Sequence, residues 1–133
     1  MLRYMLDTNI CIYTMKNKPQ QVREAFARHA GQMCISSVVL MELLFGAEKS
    51  AFRQESLLAV ESFAARLDVL EFSPEAALHT AQIRAALQKT GCPVGAYDAM
   101  IAGHARSLGL VLVSNNLREF ERIDGLRAEN WAV

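Results

Sequence analysis

Cysteine is scarce in this chain: Cys11, Cys34 and Cys92 are odd in number and widely spaced, with no Cys-x-x-Cys pair and no His at zinc spacing. That pattern excludes a disulfide framework and a zinc finger, and it predicts reduced thiols in or near the core. An excess of one charge is also missing, because fourteen basic and fourteen acidic residues cancel. No global basic field marks a nucleic-acid binder, although a basic rim around an acidic pocket would give the same total. No apolar run approaches the length of a membrane span, and no cationic stretch followed by an apolar signal segment opens the sequence. A reducing cytoplasm with no membrane partner is therefore expected. A Gly-rich phosphate loop and a Gly-x-Ser-x-Gly elbow are both absent, which removes P-loop and serine-hydrolase chemistry. His29, His79 and His104 share no metal-ligand spacing and are expected to be structural or surface residues.

What is present is an ordinary globular composition, 52% apolar and 21% charged over 133 residues. That suffices for one domain, residues 1–133, with a real core. Short apolar segments alternate with helical periodicity. Strands are expected at Arg3 to Leu6, Met33 to Ser36, Asp68 to Phe72 and Leu110 to Val113, with Arg127 to Trp131 a candidate edge strand. Between them, helices are expected from Thr8 to Lys16, from Pro19 to Gly31, through Glu42 towards Glu48, from Phe52 to Leu67, from Pro74 towards Gly91 and from Tyr97 to Leu108. Alternation of this kind predicts an α/β fold with a parallel sheet covered on both faces by right-handed crossovers. No internal repeat, low-complexity tract or interdomain linker interrupts it.

Four distant segments put an acid or amide where such a sheet places chemistry: Tyr4 to Asn9, Val38 to Leu44, Gly95 to Met100 and Val111 to Asn116. Asp7 and Ser114 follow strands, at the carboxyl edge where open α/β sheets bind ligands. Asp7 alone is equally well explained as a helix cap. Glu42 lies among Val38, Val39, Leu40, Met41, Leu43, Leu44 and Phe45, which leave almost no polar face, although a narrow solvent stripe would also accommodate it. Asp98 near a helix start suits the helix dipole without any ligand. Together, three such carboxylates beside one sheet edge form an oxygen-rich site suited to magnesium or manganese rather than zinc. Asn116, or Glu119 one turn later, is a candidate fourth ligand, and the hydroxyls of Thr8 and Ser114 can orient the acids. Arg118 and Arg122 are candidates for phosphate contact; a solvated face shared with Glu119 and Glu121 explains them as well.

At these residues the chain resembles PIN-domain ribonucleases, and within them the VapC toxins. The matching segments are Met5-Leu6-Asp7-Thr8-Asn9, Ile35-Ser36-Ser37-Val38 with Met41-Glu42-Leu43, Gly95-Ala96-Tyr97-Asp98-Ala99-Met100-Ile101-Ala102, and Leu112-Val113-Ser114-Asn115-Asn116-Leu117-Arg118-Glu119-Phe120. The resemblance spans essentially the whole chain. It implies a PIN-like three-layer α/β/α domain with a central, mostly parallel sheet of four or five strands. It also implies magnesium-dependent hydrolysis of RNA, with Asp7, Glu42 and Asp98 as metal ligands and catalytic acids and manganese able to substitute. Transfer RNA is the implied substrate, the initiator tRNA anticodon region first among the options. The implied assembly is a homodimer neutralised by a VapB antitoxin, with operator DNA bound only through that complex. Many PIN domains carry a fourth acid where this chain has Asn115-Asn116, which leaves Asn116 and Glu119 as alternatives.

Two other functional classes use similar parts. A phospho-receiver needs an acceptor Asp ending its third strand and a later Lys, whereas Asp68 begins its strand and no Lys follows Lys89. A haloacid-dehalogenase phosphatase needs an Asp where Asn9 stands. A metal-free interaction module is the remaining alternative.

Overall fold

A computed structural model of the chain describes residues 1–132. Five short strands form one sheet: β1 (Tyr4–Leu6), β2 (Met33–Ser36), β3 (Asp68–Leu70), β4 (Val111–Val113) and β5 (Ala128–Glu129). Their order is β3-β2-β1-β4-β5 and every pairing is parallel, so the expected mostly parallel sheet is in fact wholly parallel. Seven helices complete the described residues: α1 (Thr8–Lys16), α2 (Gln20–Arg28), α3 (Ser37–Glu48), α4 (Arg53–Ala64), α5 (Pro74–Lys89), α6 (Ala96–Leu108) and α7 (Leu117–Phe120). They cover both faces of the sheet in a three-layer α/β/α arrangement, which is why β1, β2 and β4 are buried along their whole length. None of these helices is long and apolar enough to cross a membrane.

Local chemistry explains most boundaries. Asp7 caps α1 by accepting the Ile10 N–H at 3.0 Å. Ser36 caps α3 through the Val38 N–H at 3.1 Å. Ser73 caps α5 ahead of Pro74, whose missing N–H costs nothing in a first turn. Gly109, at φ 66°, ends α6 in the left-handed region that glycine adopts without a side-chain penalty. The helix expected from Phe52 to Leu67 is shorter at both ends. The edge strand expected from Arg127 to Trp131 narrows to the two residues that pair with β4.

The core is built on Met5, Leu6, Ile35, Leu112 and Val113, all fully buried. Cys11 and Cys34 are buried with it. Burial pushes the Cys11 thiol well above its ordinary range and Cys34 up to about 12, so both stay protonated and unreactive. Cys92 departs from the expectation of a core or near-core thiol. It is exposed, because the segment between α5 and α6 lies on the surface.

The strand order reverses direction about β1: the chain steps to β2 and β3 on one side, then to β4 and β5 on the other. The carboxyl ends of β1 and β4 therefore flank the crevice where open parallel sheets place ligands. Asp7 follows β1 and Ser114 follows β4, and the Asp7 N–H donates to the Val113 carbonyl at 2.9 Å.

Candidate acidic active site

Asp7 sits at this switch point with its residue 6% exposed. Its capping of α1 engages a single carboxylate oxygen, Oδ1. Burial is the main influence on its carboxyl and raises it above the ordinary range. The Ser114 hydroxyl and the Ile10 N–H oppose that rise, while the charges of Asp98 and Glu42 add to it. Asp98, half-buried in the first turn of α6, is also raised, first by burial and then by the charges of Glu42 and Glu119. Asp7 at α1's cap thus feels the charges of Asp98 on α6 and Glu42 on α3, and Asp98 those of Glu42 and of Glu119 on α7.

Glu42 is brought to the cleft by α3 and held there from α1: the Thr8 hydroxyl donates to Glu42 Oε1 at 2.7 Å. The reason for expecting it to be buried was incomplete, however. The apolar residues around it do not surround α3 with protein, since Met41 is 41%, Leu44 37% and Phe45 62% exposed. Glu42 is half-buried, and the Thr8 hydrogen bond fixes its direction.

Asn116 and Glu119 separate clearly. Asn116 is exposed, and its backbone N–H donates to Ser114 Oγ at 2.9 Å. Glu119 is the one whose charge reaches Asp98. Arg122 pairs with Glu119 at 2.8 Å, whereas Arg118 is exposed on α7.

A group that sequence reasoning missed lines the other side. Asn9 Nδ2 donates to Asn115 Oδ1 at 3.5 Å, and Asn115 Nδ2 donates to the Tyr13 hydroxyl at 2.9 Å. Adjacency of Asn9 to Asp7 and of Asn115 to Ser114 was the available signal. Only the pairing of β1 with β4 joins the two.

Among the described residues, no three His, Cys, Asp or Glu side chains stand close enough together to hold a metal ion as they are placed. The donor chemistry nonetheless fits a hard divalent cation, because the donors are carboxylates and hydroxyls, and two of the acids are raised, first by burial and then by neighbouring negative charge. Such ions accept oxygen ligands and retain several waters, so separated carboxylates suit them.

The comparisons with known proteins give the family and the fold. The PIN domain family model matches residues 4–126. The chain is 60% identical to the tRNA(fMet)-specific endonuclease VapC of Shigella flexneri over 132 residues, covering 99% of this chain and 100% of that protein. It is similar in fold to the crystal structure of DNA-bound VapBC from Salmonella typhimurium, with a TM-score of 0.94, 60% identity and coverage of 98% and 99%. It is also similar to VapBC2 from Rickettsia felis bound to a promoter DNA fragment, with a TM-score of 0.91, 35% identity and coverage of 98% and 99%. The chain therefore belongs to the PIN-domain family and, within it, to the VapC ribonucleases.

Proposed function

We propose that this ribonuclease is a toxin that hydrolyses the initiator transfer RNA, tRNA(fMet), in its anticodon region, using magnesium held by Asp7, Glu42 and Asp98 and a VapB-type antitoxin as its restraint. The observation that carries the chemistry is the placement of Asp7 between the carboxyl ends of β1 and β4, with Glu42 tied to the adjoining Thr8 at 2.7 Å. The substrate rests on the Shigella flexneri relative, named for tRNA(fMet) and matched along its whole length. The cation, when bound, supplies the Lewis acidity for phosphodiester hydrolysis. The chain's residues prepare its place. Thr8 fixes the direction of Glu42, Ser114 and the Ile10 N–H hold Asp7, and the first turn of α6 carries Asp98. Glu119 is favoured over Asn116 as fourth ligand, because it is a partly buried acid whose charge is felt by Asp98 whereas Asn116 is neutral and exposed. Arg118, exposed on α7, is suited to an RNA phosphate beyond the scissile bond, and Arg122 to the same backbone once released from Glu119. Manganese, with the same oxygen preference, is expected to substitute for magnesium.

Residues 1–133 act in this reading as one cytoplasmic domain, paired in a homodimer. An apolar groove of about 410 Å³ between α1, α3 and α4 borders Glu42 and is lined by Ile12, Met15, Leu43, Ala47 and Val60. It suits an apolar antitoxin segment, and an arginine on that segment would enter the acidic cleft in place of metal or phosphate. Operator DNA would be met through the toxin–antitoxin complex, as the DNA-bound relatives suggest. The test is incubation of the purified protein with total RNA and manganese, followed by sequencing of the new ends. One dominant, chelator-sensitive cut in tRNA(fMet) is expected. Dispersed cuts, or a dominant cut in another RNA, would overturn the substrate assignment.

A further inference from the structure

His104 is almost entirely buried on α6, and its Nδ1 lies 2.9 Å from Ser36 Oγ across a sequence separation of 68. Ser36 is itself fully buried at the junction of β2 and α3, and its hydroxyl oxygen already accepts the Val38 N–H that starts α3. A serine hydroxyl has one proton to give. With Ser36 Oγ accepting the Val38 N–H, its one proton is assigned to Nδ1 of a neutral His104 whose ring proton is on Nε2, and burial, which lowers the histidine's proton affinity, favours the neutral ring. The same corner is tied from a third direction. The Phe72 N–H donates to Ser37 Oγ at 3.1 Å, and the Phe72 ring meets His104 edge-on with centroids 5.7 Å apart.

The two elements joined at this point are the ones that carry Glu42 and Asp98. Glu42 lies in the second turn of the helix that Ser36 caps, and Asp98 lies in the first turn of the helix that bears His104. The two positions on α6 are about 9 Å apart along its axis at the usual helical rise, so anchoring His104 sets where Asp98 arrives. We infer that His104 is a positioning residue for the ribonuclease reaction, holding the α6 carboxylate in register with the α3 carboxylate through its hydrogen bond to Ser36. Thr8 fixes Glu42 from one end, and the His104–Ser36 bond fixes the spacing between the helices from the other.

This inference rests on the assignment of Asp7, Glu42 and Asp98 as the cation site, and its test separates the two. Manganese affinity of the apo protein by calorimetry, and kcat and KM for RNA cleavage, are to be measured for wild type, His104→Phe, His104→Asn and the core truncation Ile83→Val, all well below their melting temperatures. His104→Phe keeps a ring but loses the acceptor, whereas His104→Asn places an amide oxygen near the position of Nδ1. Expected are manganese binding weakened about tenfold in the Phe variant, a comparable fall in kcat and little change in KM. The Asn variant should recover most of both, and Ile83→Val should lose neither. Should His104→Phe fail to fold, His104→Leu, which also lacks the acceptor and leaves the Ser36 cap of α3 in place, carries the same expectation. Wild-type affinity and kcat in a folded His104→Phe or His104→Leu, equal losses in Ile83→Val, or no recovery in His104→Asn would each overturn the inference. Failure of the wild type itself to bind manganese would instead defeat the cation-site assignment.

Discussion

Replacing Thr8 by valine is the sharpest perturbation of the cleft, since it deletes one hydroxyl while preserving volume and branching. That hydroxyl donates to Glu42 Oε1 at 2.7 Å, short enough for a charge-assisted bond. Hydrogen bonds to charged groups contribute about 1.5–3 kcal/mol, and a half-buried acceptor that water can reach belongs at the lower end, about 1.5 kcal/mol. If that energy holds Glu42 in the direction a cation needs, its loss appears as about a tenfold weaker metal affinity. The assay is calorimetric titration of manganese into the apo protein, paired with cleavage rates across a manganese series. Thr8→Val should need about ten times more metal for half-maximal activity and approach the wild-type rate at saturation. Thr8→Ser, which keeps the donor, should behave like wild type. Equal metal curves for valine and wild type, or equal defects in valine and serine, would refute this role for the hydroxyl.

Further outcomes follow from the same geometry. Asp7→Asn should abolish metal-dependent cleavage yet raise the melting temperature of the apo protein at neutral pH, because Asn still caps α1 while a buried, repelled charge disappears. The sign follows from the raised Asp7 carboxyl. The native state binds the proton more tightly than the unfolded chain, so wild-type stability falls as pH rises from the ordinary value of 3.8 through the raised native one. The advantage of the variant should therefore shrink on acidification, as melting curves from neutral to acid pH will report. Glu42→Gln should lose much of its activity at low manganese and regain part as manganese rises; unchanged kinetics across the titration would return Glu42 to an ordinary surface role. In an antitoxin tail, Arg→Ala should weaken inhibition more than binding if apolar docking supplies most of the affinity, as paired inhibition and binding assays would show.

Much of the framework was legible because it depends on local chemistry. Ser36, Ser73-Pro74 and Gly109 mark helix ends by capping rules that need no tertiary information. The apolar segments at β1, β2 and β4 read as strands because both of their faces are covered. What stayed hidden depends on register and distance in sequence. The Asn115–Tyr13 bond spans 102 positions and requires β4 to pair with β1. His104, on α6, carries no local signal, since its partner Ser36 comes from β2, 68 positions away. On α3, composition left almost no polar face and room for only a narrow solvent stripe, yet Phe45 is largely exposed, because apolar composition does not say which face of a helix meets the sheet. For Arg122, a phosphate contact and a face shared with Glu119 read alike in the sequence, and only the three-dimensional arrangement shows the 2.8 Å pairing with Glu119.

The most direct measurement is a crystal structure of the apo protein soaked with manganese, with the ion located by its anomalous signal. A peak in the cleft bounded by Asp7, Glu42 and Asp98, with water completing its shell, is the expected result. At saturating manganese, a peak elsewhere on the molecule and none in that cleft would contradict the assignment of these carboxylates as the metal site.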